Sequence, residues 1–351
     1  MITPPQPSSQ TKPSPSGLPA SGGGKLGVAL VGLGKYSTEQ LAPALLETEY
    51  CRLAGIVTGT PEKTKQWVEK YSLDENGVYD YQNFDSIANN PDIDIVYVVL
   101  PNALHAEFVI RAAQAGKHVI CEKPMGLSVE ECEDMIRACQ DADRLLSIGY
   151  RLHFEPHNLE MARLGREEVF GSVRKITAAD EIPIEENVWR LDKEMAGGGP
   201  VMDVGIYCVQ GAVYTVGKSP IAVTAGEGKK TDPEKFRGVE ESMSWTLEFE
   251  GGVTADCRTS YGGQASLLHA EAEQGYFELN PAYDYSGLSG RTSNGVMAFS
   301  QPNQQARQMD DFAVCILSNK VSRVPGEMGL RDVRILSAIY ESAERGERVL
   351  I

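Results

Sequence analysis

An apolar run that ends in two closely spaced glycines constrains the fold of this chain more than any other stretch. Residues 26–31 are predicted to form a buried strand, which Gly32 and Gly34 follow at once. Glycines at this spacing let the backbone turn sharply, so that its N–H groups face a pyrophosphate. Two glycines after a strand also occur in ordinary tight turns, and the pattern alone leaves both possibilities open. The predicted cradle consists of Gly32, Leu33, Gly34, Lys35 and Tyr36.

A helix is predicted directly after this turn and extends through Leu46. Ser37 and Gln40 form a capping-box pattern at its start. Ser37 also takes the place of the third glycine of a dinucleotide fingerprint. The N-terminus of such a helix would direct its free N–H groups at a bound anion.

Length, charge and cysteine content limit the class of protein. The 351 residues are 42% hydrophobic, enough for two globular domains, and the net charge of −16 argues against nucleic acid or an anionic membrane as partner. Seven scattered cysteines without a C-x-x-C pair suggest neither disulfides nor a zinc site, and no apolar run is long enough to span a membrane. Residues 1–24, rich in Pro, Ser and Gly, are predicted to be a flexible arm without a secretory signal, which favours the cytoplasm.

Residues 25–150 alternate between apolar runs and amphipathic segments. This alternation predicts a doubly wound parallel sheet, which binds ligands beyond the carboxyl ends of its strands. The predicted strands are residues 26–31, 51–58, 93–100, 118–122 and 145–150, and the predicted helices are 61–71, 84–89, 105–115 and 128–142.

Residues 151–351 show longer alternating runs and form the predicted second domain, for substrate and subunit contacts. They predict a large, open, mainly antiparallel sheet with three helices and two mobile loops. The predicted strands are residues 173–180, 221–228, 243–249, 253–261, 268–272 and 276–279; the helices are 201–216, 305–318 and 330–345; the loops are 238–241 and 287–295. One apolar face of this sheet is predicted to meet another subunit in a homo-oligomer, a dimer or tetramer.

The end of the second strand indicates which dinucleotide binds. An NAD-selective site has Asp or Glu about 20 residues after the glycines, where this chain has Thr58 and Gly59. No carboxylate there would repel a 2′-phosphate, and Lys63 on the following helix would neutralise one. The pattern predicts NADP, although a solvated helix lysine is the simpler explanation of Lys63.

Three residues are candidates for chemistry. Lys123 follows an apolar strand and precedes a proline, so its backbone is extended at the ligand-binding edge of the sheet. The alternative to a role in chemistry is a simple ion pair between Lys123 and Glu122. Asp203 and Tyr207 lie four residues apart after three glycines and a proline, and so share one helix face. A core tyrosine beside an N-terminal aspartate would give the same pattern.

His153 and His157 are spaced to ligate zinc, but no third ligand is evident, and no metal is predicted.

Several segments together resemble the glucose-fructose oxidoreductase/inositol dehydrogenase/MocA family. These are GLGKYS, LPNALHAEF, CEKPM, GYRLHFEPHN, WRL and GGGPVMDVGIY, in order from about residue 25 to the C-terminus. Many members of the family have histidine at the position of Tyr207. With tyrosine there, the chain resembles the branch that contains the glucose-fructose and aldose-aldose oxidoreductases. The resemblance implies a Rossmann domain, tightly held NADP and a catalytic pair, Lys123 and Tyr207. It places His105, Arg151, Trp189 and Arg190 near cofactor or substrate. Further cofactor contacts, Leu100, Pro101, Asn102 and Glu122, are predicted because they lie at the carboxyl ends of predicted strands.

The predicted reaction oxidises an aldopyranose at C1 to the aldonolactone. Tyr207 is the predicted base, and a lysine ammonium within about 4 to 6 Å favours its phenolate. Asp203, with Arg151, would contact sugar hydroxyls, and Arg190 would contact a phosphate. In one version of the predicted function, a second sugar re-oxidises the bound cofactor. The alternatives are a D-xylose or dihydrodiol dehydrogenase that releases NADPH, and a non-catalytic NADP-binding redox sensor, which would need neither Tyr207 nor Lys123.

Overall fold

The computed structural model describes residues 24–351, and the predicted arm therefore lies almost wholly outside the described residues. Six parallel strands form the first sheet in the order β3-β2-β1-β4-β5-β6. These strands are β1 (Leu26–Val31), β2 (Cys51–Val57), β3 (Val78–Tyr79), β4 (Ile95–Val98), β5 (His118–Cys121) and β6 (Leu146–Ile148). The predicted doubly wound parallel sheet is confirmed.

Helices flank both faces of this sheet near their predicted positions. They are α1 (Ala42–Glu47), α2 (Pro61–Tyr71), α3 (His105–Gln114) and α4 (Val129–Asp141), with a short 3₁₀ segment at Phe84–Asn89. The predicted capping of α4 is confirmed, since Ser128 accepts a hydrogen bond from the Glu131 N–H at 3.1 Å. Pro61 opens α2 as predicted, although the Thr60 side chain makes no capping bond.

The capping box predicted at Ser37 is wrong. A π-helical turn, Ser37–Leu41, leads into α1, and no side chain caps it. The Ser37 hydroxyl instead donates to the Gly32 carbonyl oxygen at 2.6 Å. Ser37 therefore links the start of the helix to the glycine turn through its hydroxyl.

Nine strands form the second sheet, in the order β14-β13-β12-β11-β7-β10-β9-β8-β15. Only the β7 and β10 pair is parallel, so the mainly antiparallel prediction is confirmed. The strands are β7 (Val173–Glu181), β8 (Pro220–Glu227), β9 (Ser242–Phe249), β10 (Thr254–Ser260), β11 (Ala265–Ala272), β12 (Gly275–Leu279), β13 (Gly290–Thr292), β14 (Gly295–Met297) and β15 (Val349–Leu350).

The remaining helices are α5 (Pro156–Arg166), α6 (Lys193–Ala196), α7 (Ile206–Val216), α8 (Gln304–Leu317) and α9 (Gly326–Arg345), and the π-helical turn Val201–Gly205 runs straight into α7. Helices α5, α7 and α9 cover one face of the second sheet. Helix α8 packs on the first sheet, where Met309 and Phe312 join its core. The predicted domain boundary between residues 150 and 151 stays a prediction. It does not account for α8, which follows that boundary in the chain but packs on the first sheet.

The prediction that residues 238–241 and 287–295 form mobile loops is wrong. Residues 287–295 contain β13, and Glu240 in the other loop is only 5% exposed. Glu240 accepts hydrogen bonds from the Gly199 and Val201 N–H groups at 2.9 and 3.1 Å and from the Tyr340 hydroxyl at 2.8 Å. This carboxylate caps the start of the 201–216 helix, which carries Asp203 and Tyr207.

The apolar alternation of the second sheet has an explanation within the chain. Met243, Trp245 and Leu247 are buried on the helix-covered face. The other face carries ion pairs, including Lys175 with Asp256 at 2.8 Å. The apolar residues therefore do not mark a subunit contact, and the predicted homo-oligomer stays a prediction. Among residues 24–351, no helix is long and apolar enough to cross a membrane.

Candidate active site

The glycine turn after β1 has the geometry of a phosphate cradle. Gly32 has a φ of +93°, and a Cβ there would lie 2.5 Å from the Val99 carbonyl oxygen, so only glycine fits. A Cβ on Gly34 would meet nothing within 4 Å. Within the described chain, the N–H groups of Leu33, Gly34 and Lys35 donate to no other residue. These free donors, beside a helix start, fit the pyrophosphate of a dinucleotide.

Lys63 reaches this cradle from α2. Its ammonium donates to the Leu33 carbonyl oxygen at 3.0 Å, so it is held against the glycine turn. Thr58 and Gly59, at the end of β2, border a cavity of about 920 Å³ that Lys65 and Tyr81 also line. The end of β2, where the ribose is predicted to bind, is therefore open, and the Lys63 cation is held at the neighbouring glycine turn.

The other predicted cofactor residues hold the sheet edge in shape. His105 is fully buried, and its two ring nitrogens lie 2.9 Å from the carbonyl oxygens of Pro124 and Leu100. This links the loop after β4, which includes Pro101, to the loop after β5. Asn102 donates from Nδ2 to the Ala196 carbonyl oxygen at 2.8 Å, which ties this edge to the second domain.

Glu122 is buried directly before Lys123 but does not pair with its ammonium. Its Oε1 accepts from the Tyr97 hydroxyl at 2.7 Å, and Tyr97 in turn accepts from Gln308 of α8 at 2.9 Å. Burial raises the pKa of the Glu122 carboxyl, against the opposing effects of this hydrogen bond and of Lys123. The simple Lys123–Glu122 pair that the sequence left open is therefore not what the structure shows.

Lys123 is brought next to Asp203 from the other domain. Its ammonium donates to the Asp203 backbone carbonyl and lies 3.4 Å from carboxylate oxygen Oδ1. The second oxygen, Oδ2, lies 3.0 Å from Arg190 Nε and accepts from the Tyr261 hydroxyl at 3.2 Å. Asp203 thus holds two cations in place. Direct contact between its carboxylate and a sugar stays a prediction.

The charges of this pair are stabilised by each other. Burial alone would raise the pKa of Asp203, but the Arg190 and Lys123 cations outweigh it and lower that pKa. Burial likewise disfavours the Lys123 cation, yet Tyr207 and Asp203 raise the pKa of the ammonium above its ordinary value. The site therefore keeps a positive Lys123 and a negative Asp203 at neutral pH.

Tyr207 lies between two cations. Lys123 Nζ is 4.8 Å and the Arg151 guanidinium carbon is 5.0 Å from the centre of its ring. Tyr283 stacks on the same ring, with centroids 6.1 Å apart. Both cations therefore lie within cation–π distance of this ring. The structure thus brings Lys123, Asp203 and Tyr207 together, as predicted from their separate motifs.

Arg151 is fixed mainly by contacts that the sequence did not reveal. Its guanidinium donates to the Gln304 side-chain oxygen at 2.5 Å and to the Asp284 carbonyl oxygen at 3.1 Å. It also lies 4.4 Å from the centre of the Tyr285 ring, which in turn lies 6.0 Å from the Tyr36 ring. Through Arg151 and Tyr285, a continuous series of contacts joins Tyr207 to Tyr36 at the end of the glycine turn.

The remaining predicted residues have other partners. Arg190 pairs with Asp203 and lies over the Trp189 ring at 4.6 Å. Cofactor contacts of Trp189 and Arg190 stay predictions. His153 Nε2 lies 2.7 Å from Gln210 Oε1, and His157 Nδ1 lies 2.8 Å from Glu155 Oε1. The two histidines bond to different partners and do not face a shared site.

Sequence reasoning missed four side chains of this site: Asp180, Tyr261, Tyr283 and Tyr285. Asp180 is 5% exposed at the end of β7, and its electrostatic partners include Lys123 and Arg151. The alternation of β7 was a usable signal, because it places Asp180 on the same buried face as Ile176 and Ala178. Tyr283 and Tyr285 lie in an irregular segment whose position no local pattern predicts.

Comparisons with known proteins agree with this geometry. The oxidoreductase family with an NAD-binding Rossmann fold, GFO/IDH/MocA, matches residues 26–150, and the GFO/IDH/MocA C-terminal domain matches residues 158–273. The chain is similar to the aldose-aldose oxidoreductase structure from Caulobacter crescentus, solved with glycerol. The two are 41% identical with a TM-score of 0.91, and the match covers 93% of this chain and all of the other.

Two archaeal enzymes are also similar in sequence. The D-xylose 1-dehydrogenase [NADP(+)] of Haloarcula marismortui is 31% identical over 90% of each chain. The D-xylose 1-dehydrogenase (NADP(+)) 2 of Haloferax volcanii is 32% identical over 77% of this chain and 84% of its own. With both of its domains matched and its two sheets in the expected order, the chain belongs to the GFO/IDH/MocA oxidoreductase family.

Proposed function

We propose that this protein is an NADP-dependent sugar oxidoreductase that oxidises an aldopyranose at C1 to the aldonolactone. The observation that carries the proposal is the cluster of Lys123, Asp203 and Tyr207 at the edge of the nucleotide cradle, with Lys123 Nζ 4.8 Å from the Tyr207 ring centre. The names of the similar proteins, an aldose-aldose oxidoreductase and NADP-dependent xylose dehydrogenases, support the same substrate class.

Each residue of the cluster has a distinct task in this reaction. Bound NADP supplies the hydride acceptor at its nicotinamide ring. Tyr207, as phenolate, removes the proton of the anomeric hydroxyl, so that the C1–O bond becomes a carbonyl as the C1 hydrogen departs with its electron pair. Lys123 stabilises the phenolate, and Asp203 holds Lys123 in position. In the reverse direction, Tyr207 as phenol returns the proton to the carbonyl oxygen.

The choice of NADP over NAD depends on Lys63. We expect Lys63→Ala to weaken NADP binding by about 10- to 100-fold, because a charged hydrogen bond to the 2′-phosphate is lost, and to change NAD binding little. Fluorescence titration with NADPH and NADH measures both affinities. Lys70→Ala, on the last turn of the same helix, is the matched control. An equal loss for both dinucleotides would exclude this role of Lys63.

Re-oxidation of the cofactor distinguishes two versions of the function. In the first version a second sugar accepts the hydride and NADP stays bound through the cycle, as the similarity to the Caulobacter crescentus protein favours. In the second version the enzyme is a D-xylose or dihydrodiol dehydrogenase that releases NADPH, as the similarity to the archaeal xylose dehydrogenases favours. The chemistry of Tyr207 and Lys123 is the same in both.

A panel of aldoses tests the proposal directly. The purified protein is mixed with NADP and each aldose, and the absorbance of reduced nicotinamide is followed with and without an acceptor sugar. We expect at least one pyranose to reduce the cofactor. Absorbance that disappears again on addition of the acceptor indicates the first version, whereas accumulation of free NADPH indicates the second. Failure of every aldose to reduce NADP would refute the proposed function.

A further inference from the structure

A buried carboxyl group without a protein partner lies beside the catalytic cluster. Asp180 is 5% exposed, and among the described residues only its backbone carbonyl oxygen accepts a side-chain hydrogen bond, from the Thr259 hydroxyl at 2.8 Å. Its carboxyl oxygens have no protein partner and are not among the fully enclosed side-chain atoms that lack one. The small exposed part of the residue therefore includes these oxygens, which are free to accept a hydrogen bond from a ligand.

The register of the second sheet places this group on the helix-covered face. In β7, Ile176, Ala178 and Asp180 alternate with residues of the other face, where Glu181 pairs with Arg258 at 2.8 Å. Asp180 stands opposite Thr259 of β10 and Ser266 of β11 on the helix-covered face. This is the face on which the helix with Asp203 and Tyr207 packs.

The electrostatic surroundings support the same placement. Burial raises the pKa of Asp180 well above its ordinary value, while Lys123 and Arg151 oppose the rise. Asp203 and Asp284 add further negative charge nearby. Acidic and basic side chains therefore both surround the group, and a neutral polyol can hydrogen-bond to either kind. A carboxyl group beside them can accept from one hydroxyl and, when protonated, donate to another.

We propose that the Asp180 carboxyl group hydrogen-bonds a ring hydroxyl of the sugar other than the reacting one, and that it thereby selects among sugars. This inference rests on the proposed function. Asp180 orients the ring and takes no part in proton or hydride transfer. The class of ligand is a neutral pyranose that carries a free hydroxyl at the position Asp180 reaches.

Deoxy sugars test the contact. For the best aldose of the panel, kcat/KM is measured for the parent sugar and for each monodeoxy analogue with wild type, Asp180→Ala and Glu181→Ala. We expect wild type to use one analogue about 10- to 100-fold less well than the parent sugar. Asp180→Ala should lower kcat/KM for the parent by a similar factor and no longer distinguish that analogue. Glu181→Ala, on the opposite face of the strand, should keep the distinction.

Two further measurements separate a direct contact from a structural effect. NADPH fluorescence titration and thermal unfolding should be near wild type for Asp180→Ala. If that variant does not fold, Asp180→Ser, which suits a site between Thr259 and Ser266 but is too short to reach the sugar, takes its place. Unchanged discrimination among all analogues in the variant, or none in wild type, would overturn the inference while the proposed function stands. A wild type that oxidises no sugar would overturn both.

Discussion

Tyr207→Phe is expected to abolish turnover while the cofactor still binds. The change removes only the hydroxyl, and the ring keeps its contacts with Tyr283, Lys123 and Arg151. Without the phenol no group accepts the proton of the anomeric hydroxyl, and loss of a general base lowers rates by about 10²- to 10⁴-fold. Initial rates with saturating sugar and NADP give kcat, and NADPH fluorescence titration gives the affinity of the cofactor.

Tyr276→Phe is a suitable control for this experiment. Tyr276 lies in β12 and stacks on His269 on the outer face of the second sheet, away from the cluster. It should leave kcat unchanged. Turnover by Tyr207→Phe within a few-fold of wild type would mean that another group is the base, and the role given to Lys123 would then also lose its basis.

The residues that carry the chemistry were predictable because each follows a strong local signal. The glycine pair ends an apolar strand, Lys123 ends another, and Asp203 and Tyr207 share a helix face after three glycines. The carboxyl ends of parallel strands meet at one edge of a sheet, so local patterns alone bring the first two signals together. The fold class followed from the same strand and helix alternation.

The errors arise where long-range contacts decide the structure. Residues 238–241 have loop composition, yet Glu240 is buried because it caps a helix that begins 39 residues earlier. Ser37 has the sequence of a cap, but the tight turn at Gly32 offers its hydroxyl a nearer acceptor. Asp180 was missed because a carboxylate near a strand end is usually solvated, and only its neighbours in the sheet show that it is enclosed.

Lys123→Met is expected to lower the rate of sugar oxidation strongly. Methionine fills the space of the lysine stem but removes the positive charge that lies 4.8 Å from the centre of the Tyr207 ring. Removal of one preorganised group that stabilises the charge of a transition state lowers kcat by about 10²- to 10³-fold. Initial rates with saturating sugar and NADP give kcat for the variant and for wild type.

A structural effect of this substitution is expected to be small. In Lys123→Met, Asp203 still has Arg190 at 3.0 Å and the Tyr261 hydroxyl at 3.2 Å, so its carboxylate is not left unpaired and the site is expected to persist. Thermal unfolding near that of wild type would confirm that the fold is kept. Lys193→Met, on α6, controls for the removal of a positive charge elsewhere and should keep the wild-type rate. A Lys123→Met enzyme with the kcat of wild type would show that the ammonium is not needed for turnover.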